Sequence, residues 1–133
     1  MNKMKIRVVS SKDEIDALDK KEEMVHLTFR PSNKDIMILV NKCPELKAIH
    51  VAGSFMKTIS ESTKIFLKMQ NIGLLEGDVW GHRKDINEYY EINPVFFTKV
   101  KTMKSEGLSE SEIIDKLGRE TRLDIDLIKF LIK

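Results

Sequence analysis

Apolar and polar residues alternate with period two in three short stretches: Lys5-Ile6-Arg7-Val8-Val9, Met24-Val25-His26-Leu27-Thr28-Phe29 and Ala48-Ile49-His50-Val51-Ala52. Such alternation marks strands that turn one face to a core. Between them the apolar residues move to helical spacing. Ile36, Leu39, Val40 and Cys43 form one stripe, entered through Arg30-Pro31-Ser32-Asn33 and limited by Pro44; Ile59, Phe66 and Met69 form another after a Gly53-Ser54 turn. Ser11-Lys12-Asp13-Glu14 has the form of a capping box and predicts a short helix through Leu18, while Ile72 to Val79 predicts a fourth strand. Strand and helix in strict alternation imply parallel strands joined by right-handed crossovers, so the expected fold class is α/β with a small parallel sheet in the order 1-2-3-4.

The phase of the alternation assigns faces. Ile6, Val8, Val25, Leu27, Phe29, Ile49 and Val51 are expected on one face, and Arg7, His26, Thr28 and His50 on the other. A polar second face predicts helices mainly on one side of the sheet. The equivalent positions Val25, Ile49 and Leu74 lie 24 and 25 residues apart, within the period range of leucine-rich repeats, and Leu39, Val40, Cys43, Pro44, Leu46, Ile49 and Val51 resemble one such repeat. An ordinary sheet with connections of equal length accounts for the same spacing.

Beyond residue 92 the period is helical throughout, which divides the chain into an α/β part, 1–92, and a helical part, 93–133, expected to pack on the first. Asn93-Pro94 opens a helix with Val95, Phe96, Val100 and Met103 on one side, and Gly107 ends it. Ser109 with Glu112 starts a second helix that Gly118 is expected to stop, and a last helix from Asp124 turns Ile125, Ile128, Leu131 and Ile132 inward. Gly107 to Gly118 resembles the first half of a helix-turn-helix. The second half departs from it, because residues 119–123 make a long turn and Asp124 and Asp126 open the would-be reading helix with acids that phosphate repels. From Pro94 to Lys133 eight basic residues face seven acidic ones, a weak footprint for DNA.

Composition adds exclusions. The 133 residues are 41% hydrophobic and 33% charged, as in a packed globular chain, and 23 basic against 21 acidic residues leave a net charge of +2 that recommends neither nucleic acid nor membrane. The single cysteine, Cys43, cannot form an internal disulfide, no basic-then-apolar leader precedes Lys5, and no apolar run reaches the roughly 18 residues of a membrane span. The cytoplasm is the expected location.

The densest run of reactive side chains is Glu76 to Tyr90, with the single Trp and both Tyr. It begins at the carboxyl end of a parallel strand, where loops and helix starts converge in open α/β sheets. Arg30, Ser32, Ser54, Asp78, Trp80, His82 and Arg83 are therefore the expected ligand-binding residues, for a small anion or a protein partner. His26 and His50, one repeat apart, would sit side by side on neighbouring strands and with Glu76, Asp78 or His82 could hold a metal, although hydrogen-bonded histidines are the commoner outcome. Cys43 reads as a core thiol. No phosphate-cradling glycine loop, dinucleotide fingerprint or nucleophile elbow is present, so no cofactor is expected.

Lys5 to Ser11, Phe29 to Asp35 and Glu76 to Tyr90 together resemble a family of small archaeal proteins of unknown function, known mainly from methanogens. The resemblance implies an archaeal, cytoplasmic setting and carries over no catalytic or binding residue. The first functional reading is a non-enzymatic binding or adaptor protein. The second is a DNA-associated regulator using the C-terminal helices, and the third a metal-dependent hydrolase on the polar sheet face.

Overall fold

The computed structural model describes residues 5–77, 89–121 and 123–132. Five strands form one sheet: β1 (Lys5–Val9), β2 (Met24–Leu27), β3 (Ala48–Val51), β4 (Gly73–Glu76) and β5 (Tyr89–Glu91), in the order β4-β3-β2-β1-β5. The first four are parallel neighbours in the expected order, and Val25, Ile49 and Leu74 are register partners. Their near-equal spacing thus records crossovers of equal length. β5 runs antiparallel to β1 with Tyr89 opposite Arg7; at three residues it is too short to show a period in the sequence.

A 3₁₀ helix (Lys12–Ala17), α1 (Asn33–Lys42), α2 (Gly53–Met56) and α3 (Glu61–Met69) form the crossovers. Ile15, Ile36, Leu39 and Leu67 bury against Val9, Val25, Leu27, Ile49 and Val51 in one core. The C-terminal helices α4 (Pro94–Ser105), α5 (Glu110–Glu120) and α6 (Ile125–Leu131) make a second core, in which Phe96, Val100, Ile113, Leu117, Leu127 and Ile128 join Ile6, Met24, Ala48 and Leu75. Helices therefore cover both faces, and the expectation of a one-sided layer is corrected. The face bearing His26 and His50 is not open to water; the helical segment is its second cover.

The phase of β1 is also corrected. Ile6 belongs to the second core, and Arg7 shares the register of Val25 on the first face. Arg7 is tolerated there because its Nη1 lies 3.6 Å from Glu22, its guanidinium sits 5.5 Å from the Tyr89 ring centroid, and Tyr89 donates a 2.6 Å hydrogen bond to Glu22. A lone cation in a strand reads as surface, and nothing in the local pattern announces its distant partners.

The helix starts follow local chemistry. Ser32 and Ser109 complete capping boxes with Asp35 and Glu112, Ser60 caps α3, and Asn93 accepts the Val95 amide ahead of Pro94. Ser11 makes no such cap; its hydroxyl lies 3.5 Å from Glu14 Oε2, which accepts the Ser10 amide instead. Met69 and Ile125 point outward, and Ile59 is buried just ahead of α3 instead of within it. Gly107 ends α4 with φ +83°, but Gly118 stops nothing, since α5 continues through it to Glu120. Only the four residues 121–124 then separate α5 from α6, the length of a helix-turn-helix turn. Among the described residues no helix is long and apolar enough to cross a membrane.

Cys43 caps α1 at 1% exposure, its Sγ 3.5 Å from the Asp19 carbonyl. Burial first, and then the nearby Glu22 carboxylate, push its thiol up from about 9 to about 11. The folded value is the raised one, so stability is intact below pH 9, where both states hold the proton, and falls as pH rises toward 11. Thiol-reagent kinetics should show Cys43 reacting at least about a hundredfold more slowly in the native chain than in urea at pH 8. Equal rates would mean that the helix end is open.

Candidate functional site

Parallel register between β2 and β3 pairs His26 with His50, flanked by Val8 on β1 and Leu75 on β4. The two rings are 1% and 0% exposed, with Nδ1 of one 2.8 Å from Nδ1 of the other and centroids 4.8 Å apart. At that distance one proton lies between the nitrogens, so one ring donates and the other accepts. His50 Nε2 is 3.1 Å from Oδ2 of Asp124. A carboxylate only accepts, so Nε2 of His50 carries a proton, and a neutral His50 takes its second bond from the Nδ1 hydrogen of His26. The result is a buried line, Asp124 to His50 to His26, running from the start of α6 into the centre of the sheet. His26 and Asp124 also make contacts beyond this line.

Asp124 is the N-cap residue of α6, yet its side chain makes no bond to its own helix. It turns to the sheet, where it packs so closely on Gly77 that a Cβ at that position would overlap it, and Gly77 has φ +154°, a backbone that favours glycine. Two residues on, Asp126 Oδ2 accepts the amide of Glu76 at 3.0 Å, which satisfies a donor on the outer edge of β4. Phe130 lies against Gly73. α6 is therefore fixed along β4, with Asp126 fastened to β4 and Asp124 to His50 of β3.

Beside these fastenings a cleft of about 780 Å³ opens between the carboxyl end of β4 and the pair α5–α6. Glu76, Asp115, Asp124 and Asp126 bring four carboxylates to it, and Arg119 and Lys129 two cations. Arg119 is held by Asp115 one turn back on α5. The cleft is thus walled by sheet and helices together and is acidic on balance.

The expected site residues are distributed as follows. Arg30 is exposed at the end of β2, its guanidinium 5.8 Å from the Phe55 ring centroid. The Ser32 hydroxyl accepts the Asp35 amide, and Asp35 Oδ2 accepts the Ser32 amide, so this helix start already holds a carboxylate. Ser54 is exposed within α2. Asp78, Trp80, His82 and Arg83 lie outside the described residues. His26 and His50 are brought together, whereas Glu76 ends β4 with its carboxylate beside Gly53, and no group of three metal-ligating residues occurs among the described ones. The carboxylate that does reach the pair belongs to Asp124, a residue that sequence reasoning weighed only as an obstacle to DNA.

Comparison with known families matches residues 5–88 to a model described as the N-terminal domain of a family of unknown function, DUF1699, and residues 96–133 to the same family's C-terminal HTH domain. No curated protein and no solved structure matches the chain.

Replacing one member of the buried line should cost more than its share. His26→Phe and His50→Phe each remove one partner of a buried polar bond, at roughly 1–3 kcal/mol. The double variant removes both ends of the Nδ1 bond and should cost less than the sum. Urea unfolding followed by circular dichroism measures this; strict additivity would deny the coupling.

Proposed function

The chain belongs to the DUF1699 family, and we propose that it is a non-enzymatic binding protein in which the α/β unit, 1–92, and the helical unit, 93–133, act as one body that meets its ligand or partner along the carboxyl-end edge of the sheet. The observation that carries this reading is the fixation of α6 onto β4. The residues that would open a reading helix are committed inward, Asp124 to His50 and Asp126 to the Glu76 amide. Leu127 and Ile128 are buried in the second core at 1% and 0% exposure. Freeing α6 would expose these together with Leu75 of β4, at on the order of 1.5–3 kcal/mol for each large side chain, a heavy demand on a domain of this size.

The edge offers two chemically different ends. At the β4 end the cleft is acidic and disfavours anions. At the β2 end Arg30 stands exposed with Ser32 and Ser54 on the helices that follow, and this is where we place a small anion or an acidic group of a partner, with Asp78, Trp80, His82 and Arg83 as further contacts. An archaeal cytoplasm is the setting we propose.

A DNA-associated regulator is the second reading, favoured by the match to an HTH domain and by the short turn at residues 121–124. On this reading DNA meets the outer surface of α5 and α6, where Lys116, Arg119 and Lys129 are exposed, and not the start of α6.

Two titrations of the full chain separate the readings. Millimolar phosphate or sulfate should shift amides near Arg30, Ser32 and Ser54, and shifts on another surface, or none, would reject the anion end. Duplex DNA followed by anisotropy should bind no more tightly than the non-specific range of about 10⁻⁴–10⁻⁶ M at physiological salt. Tight, salt-dependent binding lost in Arg119→Ala with Lys129→Ala would establish the second reading instead.

A further inference from the structure

Six large apolar residues are exposed among the described ones, and four of them, Met37 (37%), Ile38 (38%), Ile65 (57%) and Met69 (76%), lie on α1 and α3. These helices cover the sheet face opposite the C-terminal unit, each as a crossover between parallel strands, so they run side by side in one direction. Their starts are tied together: Asn33 Oδ1 accepts the Ser60 hydroxyl at 3.3 Å and the Thr63 hydroxyl at 2.9 Å. One turn on from this tie, Met37 and Ile38 come level with Ile65, and Met69 follows a turn later. Two adjacent helices leave a shallow groove between their axes, about 8–10 Å apart. Met37, Ile38, Ile65 and Met69 stand on the outward faces of the two helices, and methionine adapts its shape to what it meets.

The charges around the groove are mainly basic. Lys34 near its start and Lys68 near its end have no ion-pair partner among the described residues, and Lys64 is 3.6 Å from Glu61. Three lysines against one glutamate make the patch net positive. A second copy of the same patch would be repelled, and α1 and α3 carry no Trp or Tyr and one partly buried Phe66, few aromatics for a helix pair anchored in a bilayer interface. We propose that the outward face of α1 and α3 docks an acidic amphipathic helix of a partner protein, its apolar stripe in the groove and its carboxylates on Lys34 and Lys68. This surface starts at the helix starts on the carboxyl-end edge and runs away from that edge along α1 and α3.

The test uses the full chain and two synthetic helical peptides, one with leucines at i, i+3, i+4 and i+7 and glutamates elsewhere, the other with lysines replacing the glutamates. The acidic peptide should shift amides within residues 33–42 and 61–70. Lys34→Glu with Lys68→Glu, and separately Ile65→Ser with Met69→Ser, should weaken it at least about tenfold while circular dichroism stays unchanged. Equal binding of the basic peptide, shifts on another surface, or no shifts at millimolar peptide would overturn the proposal. So would sedimentation of the chain with anionic phosphatidylglycerol vesicles that the lysine variant abolishes, which would make the face a lipid surface. Dimerisation in light scattering that is lost in the serine variant would assign it to a second copy.

Discussion

Two imidazoles buried in the middle of a sheet must satisfy their nitrogens on each other and on whatever is brought to them. His26 and His50 answer half of the requirement through the 2.8 Å bond that parallel register imposes. Nε2 of His50 needs an acceptor from outside the sheet, and Asp124 brings one from the start of α6, 74 residues further along the chain. Leaving His50 without that acceptor would bury an unpaired donor, at a cost comparable to a large core substitution. The second layer is therefore specified by polar chemistry as well as by its apolar stripes. An apolar strand face would accept α4 to α6 in several registers; a histidine that accepts one aspartate fixes one of them.

Seen from the C-terminal unit, the same bond explains a discrepancy between family and chemistry. The matched domain is of HTH type, and the turn has the length of one, but Asp124 and Asp126 are poor residues to offer phosphate. They are good residues to offer a sheet. Asp126 supplies the acceptor that the outer edge of β4 lacks, and an edge closed by a carboxylate is poorly suited to pair with another strand. The spacing of the two helices is that of the motif, while the acids that open α6 are spent on intramolecular docking.

What the sequence made legible follows from the range of the forces involved. The strands β1 to β4, their parallel order and the side-by-side histidines rest on period two and on connection length, both local properties. The caps at Ser32 and Ser109 are local too. The errors lie where a partner is remote. Arg7 read as surface because Glu22 and Tyr89 stand outside its strand, and Gly118 read as a stop because a glycine inside an exposed helix costs only about 1 kcal/mol, which the packing of Ile113 and Leu117 outweighs. Met69 and Ile125 were counted inward by hydrophobicity alone, yet apolar residues are common on surfaces. For the candidate site, the sequence named the histidines but not Asp124, since no spacing rule links positions so far apart.

The fastening of Glu76 by Asp126 spans fifty residues of chain. A ribosome adding about 5–20 residues per second needs roughly 3–10 s to go from one to the other, far longer than a small sheet takes to collapse. Throughout that interval the outer edge of β4 is bare of Asp126, while α4 and α5 are made and become able to cover the face holding Ile6, Met24, Ala48 and Leu75. The edge strand made early is thus closed by a residue made late, and the order of synthesis leaves β4 as the part of the sheet longest open to pairing with another strand.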